Sequence, residues 1–418
     1  MGEKQQLVEV YELDKTNPYL VLKMGFANDS ILNPQVAKAL KGKGIHTIEL
    51  VYTNYRAAPG FNQPDLNYKR LTNLYKLAPW IFDQTNIKWV FVAQTKCGNS
   101  DECSKLFHGF VIHFQQPVTK ESAKKTGDYL DKNFKPEPVD TTEELIKKRI
   151  VVNYYYMPKS KRKQQLGITY KRKGIWNRKR KNEYDTLFRY NKKVVYDYPF
   201  KYYMDKYKSF DDSVVMAVLN RNTSWNKMNV VLDVTGSMGS YLLQVLAWAS
   251  FDEHQKRVSR WVFFNDGDMR PDMNKPPGNT GGIYQSSPKT AEEVFKEMRK
   301  AMNKGNGGGD IPENDIEALF KAQDYCKDCS ELVLIADNLS NCRDFQLVSR
   351  IKKPVHIILC GTQTGVNTQY LELALKTGGS VHTLEQDIVG FSQLKEGQTI
   401  TVGLQKFLLK DGIFVLTR

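Results

Sequence analysis

A carboxylate and two hydroxyls follow one apolar segment at alternate positions of the chain. The segment 228–232 reads Met-Asn-Val-Val-Leu, and Asp233, Thr235 and Ser237 come directly after it. A short apolar run that ends in a turn signal predicts a buried parallel strand. Ligands of open α/β sheets collect at the carboxyl ends of such strands. Three oxygen ligands at this position suit a hard divalent cation, with Mg²⁺ favoured and Mn²⁺ or Ca²⁺ as alternatives.

The chain around these residues alternates strand-like and helix-like segments. The predicted strands are 228–233, 260–265, 332–336 and 355–360, and the predicted helices are 241–255, 289–303, 315–325, 343–350 and 368–377. This rhythm predicts an α/β fold, a doubly wound, Rossmann-like parallel sheet with helices on its faces.

Three segments at the ends of these elements resemble the metal-ion-dependent adhesion site of von Willebrand factor type A domains. Asp233-Val-Thr235-Gly-Ser237 resembles the family's first loop, Asp-x-Ser-x-Ser. Residues 307–313, Gly-Gly-Gly-Asp-Ile-Pro-Glu, resemble a variant of its second loop, and Asp337 after a strand matches its third. The resemblance spans about residues 227–390. It implies a cation held by Asp233, Thr235, Ser237, Asp310 and Asp337.

Asp310 stands where the second loop of the family supplies a threonine. If Asp233, Asp310 and Asp337 all reach the ion, the site has three carboxylates instead of two. That tightens cation binding and leaves less positive charge for an acidic partner. The alternative is that Asp310 caps the following helix. Asp266 and Asp268, after the second strand, are interpreted as a solvated acidic turn, with another ion site as the alternative.

The resemblance implies a non-enzymatic, protein-binding or scaffolding protein whose sheet rim around the ion contacts a protein partner. No nucleophile–base set accompanies the three loops, so we expect no enzyme. Metal-dependent hydrolysis at the same carboxylates is the alternative. It requires a water-activating base, and the sequence identifies none.

The positive charge of the chain is concentrated in one segment. Between residues 143 and 208 there are 20 Lys or Arg against 6 Asp or Glu, so nearly all of the net charge of +15 lies there. The cations interleaved with aromatic rings between 159 and 193 are interpreted as a solvated hairpin or linker. Binding of this segment to single-stranded nucleic acid or to another anionic surface is the alternative. The predicted contacts are Lys161, Arg162, Lys163, Lys171, Arg172, Lys173, Trp176, Arg178, Lys179 and Arg180.

These observations divide the chain of 418 residues into three parts. We predict an N-terminal α/β or α+β domain of unknown role (1–140), a basic linker or extension (141–212) and a type-A-like domain with a C-terminal extension (213–418). Two histidines of the first part, His108 and His113, are interpreted as separate structural residues. The close cysteine pairs, 97 with 103 and 326 with 329, are interpreted as disulfides or free thiols.

Neither a membrane span nor a signal peptide is visible in the sequence. No apolar run approaches the length that crosses a bilayer, and the first residues lack the apolar core of a signal peptide. We expect no transmembrane segment and a cytoplasmic location for the chain as written. A periplasmic or secreted location is the alternative if a signal peptide was removed.

Overall fold

Two compact units make up the chain, residues 1–136 with 207–418 as one and residues 137–206 as the other. The computed structural model describes residues 5–41, 43–55, 59–115, 120–134, 147–156, 188–197, 212–252, 256–270, 274–305 and 312–417.

The N-terminal part of the first unit is built on a mixed five-stranded sheet. Its strands are β1 (Gln6–Val8), β2 (Tyr19–Lys23), β3 (Ile45–Thr53), β4 (Lys88–Gln94) and β5 (Gly109–Phe114), in the order β1-β4-β3-β5-β2. Parallel pairs join β1, β4 and β3, and antiparallel pairs join β3, β5 and β2. Its α-helices are α1 (Gln63–Leu77), α2 (Ser100–Ser104) and α3 (Lys120–Asn133).

Burial and capping explain why α1 forms where it does. The side chain of Asn62 accepts a hydrogen bond from the Asp65 amide and so caps the first turn. Leu74 is fully buried, and Leu71 and Leu77 pack beside it against the sheet core. The spacing of these leucines is that of one helix face, and it places α1 across one side of the sheet.

The second unit is represented by one antiparallel hairpin, β6 (Lys147–Tyr156) with β7 (Phe188–Asp197). All of the predicted contact residues for an anionic partner, from Lys161 to Arg180, lie outside the described residues.

The C-terminal part of the first unit is built on a seven-stranded sheet. Its strands are β8 (Met228–Asp233), β9 (Val258–Phe264), β10 (Ile283–Ser286), β11 (Glu331–Asp337), β12 (Val355–Cys360), β13 (Ser380–His382) and β14 (Asp387–Ile388), in the order β10-β9-β8-β11-β12-β13-β14. The five central strands are parallel, and each edge strand is antiparallel to its neighbour. The chain is therefore a mixed α/β protein whose sheets contain both parallel and antiparallel pairs.

Helices cover both faces of this sheet because alternate strand residues point to opposite sides. The helices are α4 (Val214–Arg221), α5 (Gly239–Asp252), α6 (Ala291–Gly305), α7 (Asp315–Tyr325) and α8 (Thr368–Thr377). Val231, Leu334 and Ile357 share one buried cluster with α7 and α8. Helix α4 contacts β12 and α5, and both α4 and α5 bury their apolar residues outside that cluster.

A three-stranded antiparallel meander follows the sheet, with strands β15 (Thr399–Val402), β16 (Gln405–Lys410) and β17 (Ile413–Leu416). Phe407, Leu409 and Phe414 insert from it into the cluster of α7 and α8. Among the described helices, none combines the length and the apolarity that crossing a bilayer requires.

Candidate metal centre

The loop after β8 folds back on its own carboxylate. Asp233 is fully buried, and its Oδ1 accepts a hydrogen bond of 2.8 Å from the Thr235 amide. The hydroxyl oxygens of Thr235 and Ser237 lie 3.0 Å apart. A short 3-10 turn, Gly236–Met238, then leads directly into α5. The alternate spacing of the three residues in sequence therefore brings one carboxylate and two hydroxyls together in a single turn.

Asp337 lies at the carboxyl end of β11, the parallel neighbour of β8. Its Oδ1 accepts a hydrogen bond of 2.8 Å from the Leu339 amide, and the Ser237 side chain also hydrogen-bonds to this carboxylate. The structure thus brings Asp337 to the first loop. Asp310, the remaining predicted ligand, lies outside the described residues.

Glu313 is the residue that the sequence analysis did not assign to the site. One oxygen from each of Asp233, Glu313 and Asp337 lies within 4.8 Å of the others, and all three side chains are buried. The Glu313 amide donates to Asn341 O at 3.2 Å, and its carbonyl accepts from the Arg343 amide at 2.8 Å. These backbone bonds hold the glutamate against the loop after β11. The sequence feature that could have identified Glu313 is its position at the end of the Gly-Gly-Gly-Asp-Ile-Pro-Glu segment.

Each of these three carboxylates has one oxygen that lacks a protein partner. Asp233 Oδ2, Glu313 Oε2 and Asp337 Oδ2 are buried and accept no hydrogen bond from the described residues. A buried carboxylate oxygen without a partner costs free energy, which a coordinated cation offsets. Because the side chains that meet here offer carboxylate and hydroxyl oxygens, the site suits Mg²⁺, Mn²⁺ or Ca²⁺ better than Zn²⁺.

The interpretation of Asp266 as part of a solvated turn is wrong. Asp266 is fully buried with φ of 59°, its Oδ1 accepts a hydrogen bond of 3.3 Å from the Asn314 amide, and its carboxyl group interacts with that of Glu313. The next residue, Gly267, has φ of 88°, so the turn directs Asp266 inward instead of toward water. Asp268 is partly exposed and accepts hydrogen bonds from Asn265 Nδ2 and the Tyr284 hydroxyl.

A fifth carboxylate, Asp315, lies at the start of α7. Its Oδ2 accepts from the Cys342 thiol at 3.2 Å and from the Tyr370 hydroxyl at 3.4 Å, and its Oδ1 has no partner among the described residues. Burial raises the pKa of Asp315 to about 8, and nearby carboxylates add to the shift.

The electrostatics of the cluster disfavour several negative charges together. Burial, followed by repulsion from neighbouring carboxylates, raises the pKa of Asp233 and of Glu313 well above the usual range. Burial also raises the pKa of Asp337, and it raises the pKa of Asp266 to about 6. A divalent cation would reverse this effect, because it stabilises the ionised form of every carboxylate that it touches.

The N-terminal domain contacts the rim of this site on the side of the loop after β11. Asn86 Nδ2 donates to Asn338 O at 2.7 Å and to Leu339 O at 3.2 Å, immediately after Asp337. The Thr364 hydroxyl in turn donates to Asn86 O at 3.0 Å. One side of the rim is therefore covered by the loop between α1 and β4.

Helix α3 of the N-terminal domain contacts the same rim from the other side. It packs against the Gly236–Met238 turn and against α5 and α6. A Cβ atom placed on Gly239 would lie 3.2 Å from the Thr126 methyl group, so glycine permits this close approach. The expected partner surface is consequently not open on all sides.

The remaining candidate residues lie apart from this site. His113 is within 3.2 Å of Glu49, whereas His108 lies beside Thr53 and Leu106, so the two histidines do not form a common cluster. Both close cysteine pairs, Cys97 with Cys103 and Cys326 with Cys329, are disulfides.

Comparison of the chain with protein-family models, with curated proteins and with solved structures found no match.

Proposed function

We propose that this chain is a non-enzymatic protein-binding protein that engages a partner through a divalent cation at the carboxyl ends of β8 and β11. The observation that carries the proposal is the convergence of Asp233, Glu313 and Asp337, each buried and each with an orphan oxygen. The hydroxyls of Thr235 and Ser237 complete a set of oxygen ligands that suits a hard cation.

The coordination chemistry leaves a place for the partner. Mg²⁺ prefers an octahedral oxygen shell, and three carboxylates with two hydroxyls leave one position for a further oxygen. A carboxylate from an aspartate or glutamate of a protein partner is the ligand with the best charge match, since it is a hard anionic oxygen donor. Each ionised carboxylate within the site reduces the positive charge that the partner experiences. Replacing Glu313 by glutamine should therefore weaken cation binding but strengthen the attraction of a bound cation for an acidic partner.

The N-terminal domain restricts the approach of this partner. Asn86 covers the rim beside Asp337, and α3 covers it beside Gly239. A narrow protruding loop or a flexible acidic tail fits the remaining access better than a flat protein surface does. We therefore propose an exposed acidic peptide segment as the partner element.

The test uses the full chain and an acidic peptide library displayed on a surface, screened with Mg²⁺, with Mn²⁺ and with chelator. We expect capture that requires the cation and that Ser237→Ala and Asp337→Asn both lose. The exposed carboxylate of Asp101 offers the matched control Asp101→Asn, which should retain capture. Capture that persists in chelator, or in both site variants while they remain folded, would refute the proposal.

A second candidate function concerns the basic segment. The strands β6 and β7 pair over ten residues, so the segment that connects them carries the basic run from Lys159 to Lys181. We propose that this run binds single-stranded nucleic acid or another anionic surface. Replacing Lys171, Arg172 and Lys173 by glutamine should lower affinity for a single-stranded oligonucleotide and flatten its salt dependence. An unchanged salt slope would contradict this candidate.

A further inference from the structure

Five side chains form a continuous chain of hydrogen bonds at the amino ends of β11 to β13, opposite to the candidate metal site. Glu331 Oε2 is 3.1 Å from His356 Nε2, and His356 Nδ1 is 2.7 Å from Ser380 Oγ. Ser380 Oγ is 2.6 Å from His382 Nε2, and His382 Nδ1 is 2.7 Å from Asp387 Oδ1. A serine hydroxyl is thus enclosed by two imidazoles, each backed by a carboxylate.

The number of hydrogens available to this series of hydrogen bonds is one fewer than its four contacts require. Each of its four contacts requires one hydrogen between the two heavy atoms. The Ser380 hydroxyl supplies one hydrogen, and two neutral imidazoles supply one each, whereas ionised carboxylates supply none. One contact would then place two lone pairs opposite each other. The chain of hydrogen bonds is complete only with one additional proton.

The position of that proton depends on the serine hydroxyl. When Ser380 donates to His382, His356 must donate through both nitrogens and is the charged ring. When Ser380 donates to His356, His382 is the charged ring instead. Transfer of one proton from His356 Nδ1 to Ser380 Oγ, together with transfer of the serine proton to His382 Nε2, therefore moves the positive charge from one histidine to the other.

The charged groups around His356 and His382 have a net charge of −1, which one additional proton on the two rings neutralises. Glu331 and Asp387 bring two negative charges, and Arg221 donates to Asp387 through Nε at 2.9 Å. Arg221 also donates to the carbonyls of Thr383 and Leu384, which anchors the turn between β13 and β14. With one imidazolium, two cations face two carboxylates, and the group is neutral.

Aromatic packing and burial shield the middle of this hydrogen-bonded series from solvent. Trp225 stacks on His356 with ring centroids 5.0 Å apart and meets His382 edge-on at 4.9 Å. Ser380 exposes only 3% of its surface, so the serine is not available as a nucleophile, although the sequence of contacts from Ser380 to His382 and from His382 to Asp387 resembles such a set. Glu331 and Asp387 are partly exposed, and protons enter and leave at these two ends.

We propose that His356, Ser380 and His382 share one proton, and that this proton makes the sheet edge formed by β13 and β14 sensitive to pH. The two strands contain only three and two residues, so backbone pairing alone holds them weakly. Loss of the proton at high pH breaks one contact in the chain. A second proton at low pH gives two imidazoliums and leaves the buried Ser380 hydroxyl without an acceptor. The edge is most stable between these limits.

The experiment is imidazole nitrogen NMR on the full chain labelled with ¹⁵N-histidine, followed from about pH 5 to about pH 9, the range in which histidines titrate. Burial lowers the pKa of His356 and of His382, whereas Glu331 and Asp387 act in the opposite direction. Because the four contacts close only with an additional proton, we nevertheless expect three protonated ring nitrogens on the pair at neutral pH, and a single coupled loss of one proton on raising the pH. Ser380→Ala should make the two rings titrate independently. Ser349→Ala, an exposed serine of the same domain, is the matched control and should keep the coupled step. His356→Asn and His382→Asn assign the resonances.

Amide hydrogen exchange tests separately whether the shared proton stabilises the sheet edge, because protonation of the rings alone would not change the protection of the backbone amides. After correction for the intrinsic pH dependence of exchange, protection of residues 380–388 should fall by about tenfold or more when the shared proton is lost, since a charged hydrogen bond disappears. The Ser380→Ala variant should show no such step. Two neutral rings in the wild type at neutral pH would overturn the proposal even if the variant does not fold, and so would a coupled step that survives in Ser380→Ala.

Discussion

Replacing Asp233 by asparagine should have opposite effects on stability with and without a divalent cation. Without a cation, Asp233 is a buried carboxylate that burial and its neighbours Asp337 and Asp266 disfavour in the ionised form. Asparagine keeps the Oδ1 acceptor that the Thr235 amide uses at 2.8 Å. It removes the charge and nearly preserves the shape. We therefore expect the variant to be at least as stable as the wild type in chelator, and less stable than the wild type in Mg²⁺.

The magnitudes follow from the geometry of the site. Oxygens of Asp233 and Asp337 lie within 4.8 Å of each other, and two unit charges at that distance repel by about 3 kcal/mol at an effective dielectric constant of about 20. Relief of this repulsion sets the order of magnitude of the gain in chelator. A cation at about 100 times its dissociation constant adds about 2.7 kcal/mol to the wild type. For a domain of this size, that corresponds to a rise in Tm of roughly 5–11 °C.

The assay is thermal unfolding of the full chain in chelator and in millimolar Mg²⁺, Mn²⁺ or Ca²⁺. Asp252→Asn is the matched control, because Asp252 is equally buried but is paired with Arg257 Nε at 2.9 Å. That variant should lose the same stability with and without the cation. If Asp233→Asn lowers Tm by equal amounts in both conditions, or responds to the cation as the wild type does, the reasoning fails.

Three further predictions concern individual side chains. Glu313→Gln should lower cation affinity by about tenfold or more in calorimetric titration, since loss of an outer-shell partner alone commonly costs this much; unchanged affinity would exclude Glu313 as a ligand. Asn86→Ala should lower the free energy of unfolding by about 1–2 kcal/mol, because it removes the donor to Asn338 O and Leu339 O. The comparison is Asn99→Ala, which removes an exposed helix cap instead. Burial lowers the pKa of His108 from 6.5 to about 4, with Arg70 adding to the shift; stability is therefore fully present above pH 6.5 and falls by up to roughly 3 kcal/mol toward pH 4. Denaturant titrations of wild type and His108→Gln should differ in this acid slope, and parallel slopes would refute the assignment.

The central strands and their polar ends were accessible from sequence. The segment 228–232 is mostly apolar and is followed by a carboxylate, and 228–233 forms the fully buried strand β8 as predicted. The predicted helices 315–325 and 368–377 match α7 and α8. Such elements are specified by local hydrophobic patterns, which tertiary contacts then reinforce.

Short elements and contacts between distant residues could not be predicted from the sequence. The strands β13 and β14 contain too few residues to show an alternation, and the predicted helix 343–350 is a 3-10 helix over Phe345–Arg350. Helix α4 was not predicted, because it has only eight residues and most of them are buried, and so short an apolar run does not distinguish a helix from a strand. Periodicity requires more residues than these elements supply.

The ligand set illustrates the same limit at the level of single residues. Glu313 reaches Asp233 and Asp337 only because its backbone bonds to Asn341 and Arg343, and no local pattern encodes these contacts. Asp266 is buried because a turn with positive φ directs it inward, whereas its neighbours in sequence are those of an ordinary polar loop. Position within a motif indicates that a residue matters, but the direction of its side chain is decided by the tertiary fold.

The role of the N-terminal domain follows from which residues it touches. Asn86 binds the carbonyls of Asn338 and Leu339, one and two residues after Asp337, and α3 packs on Gly239, two residues after Ser237. A cation that fixes Asp337 and Ser237 would therefore also fix the two segments on which the N-terminal domain rests. Linkage is reciprocal, so a docked N-terminal domain must favour cation binding by the same free energy by which the cation favours docking. We therefore propose that the N-terminal domain holds the loops after β8 and β11 in the arrangement that a cation would require.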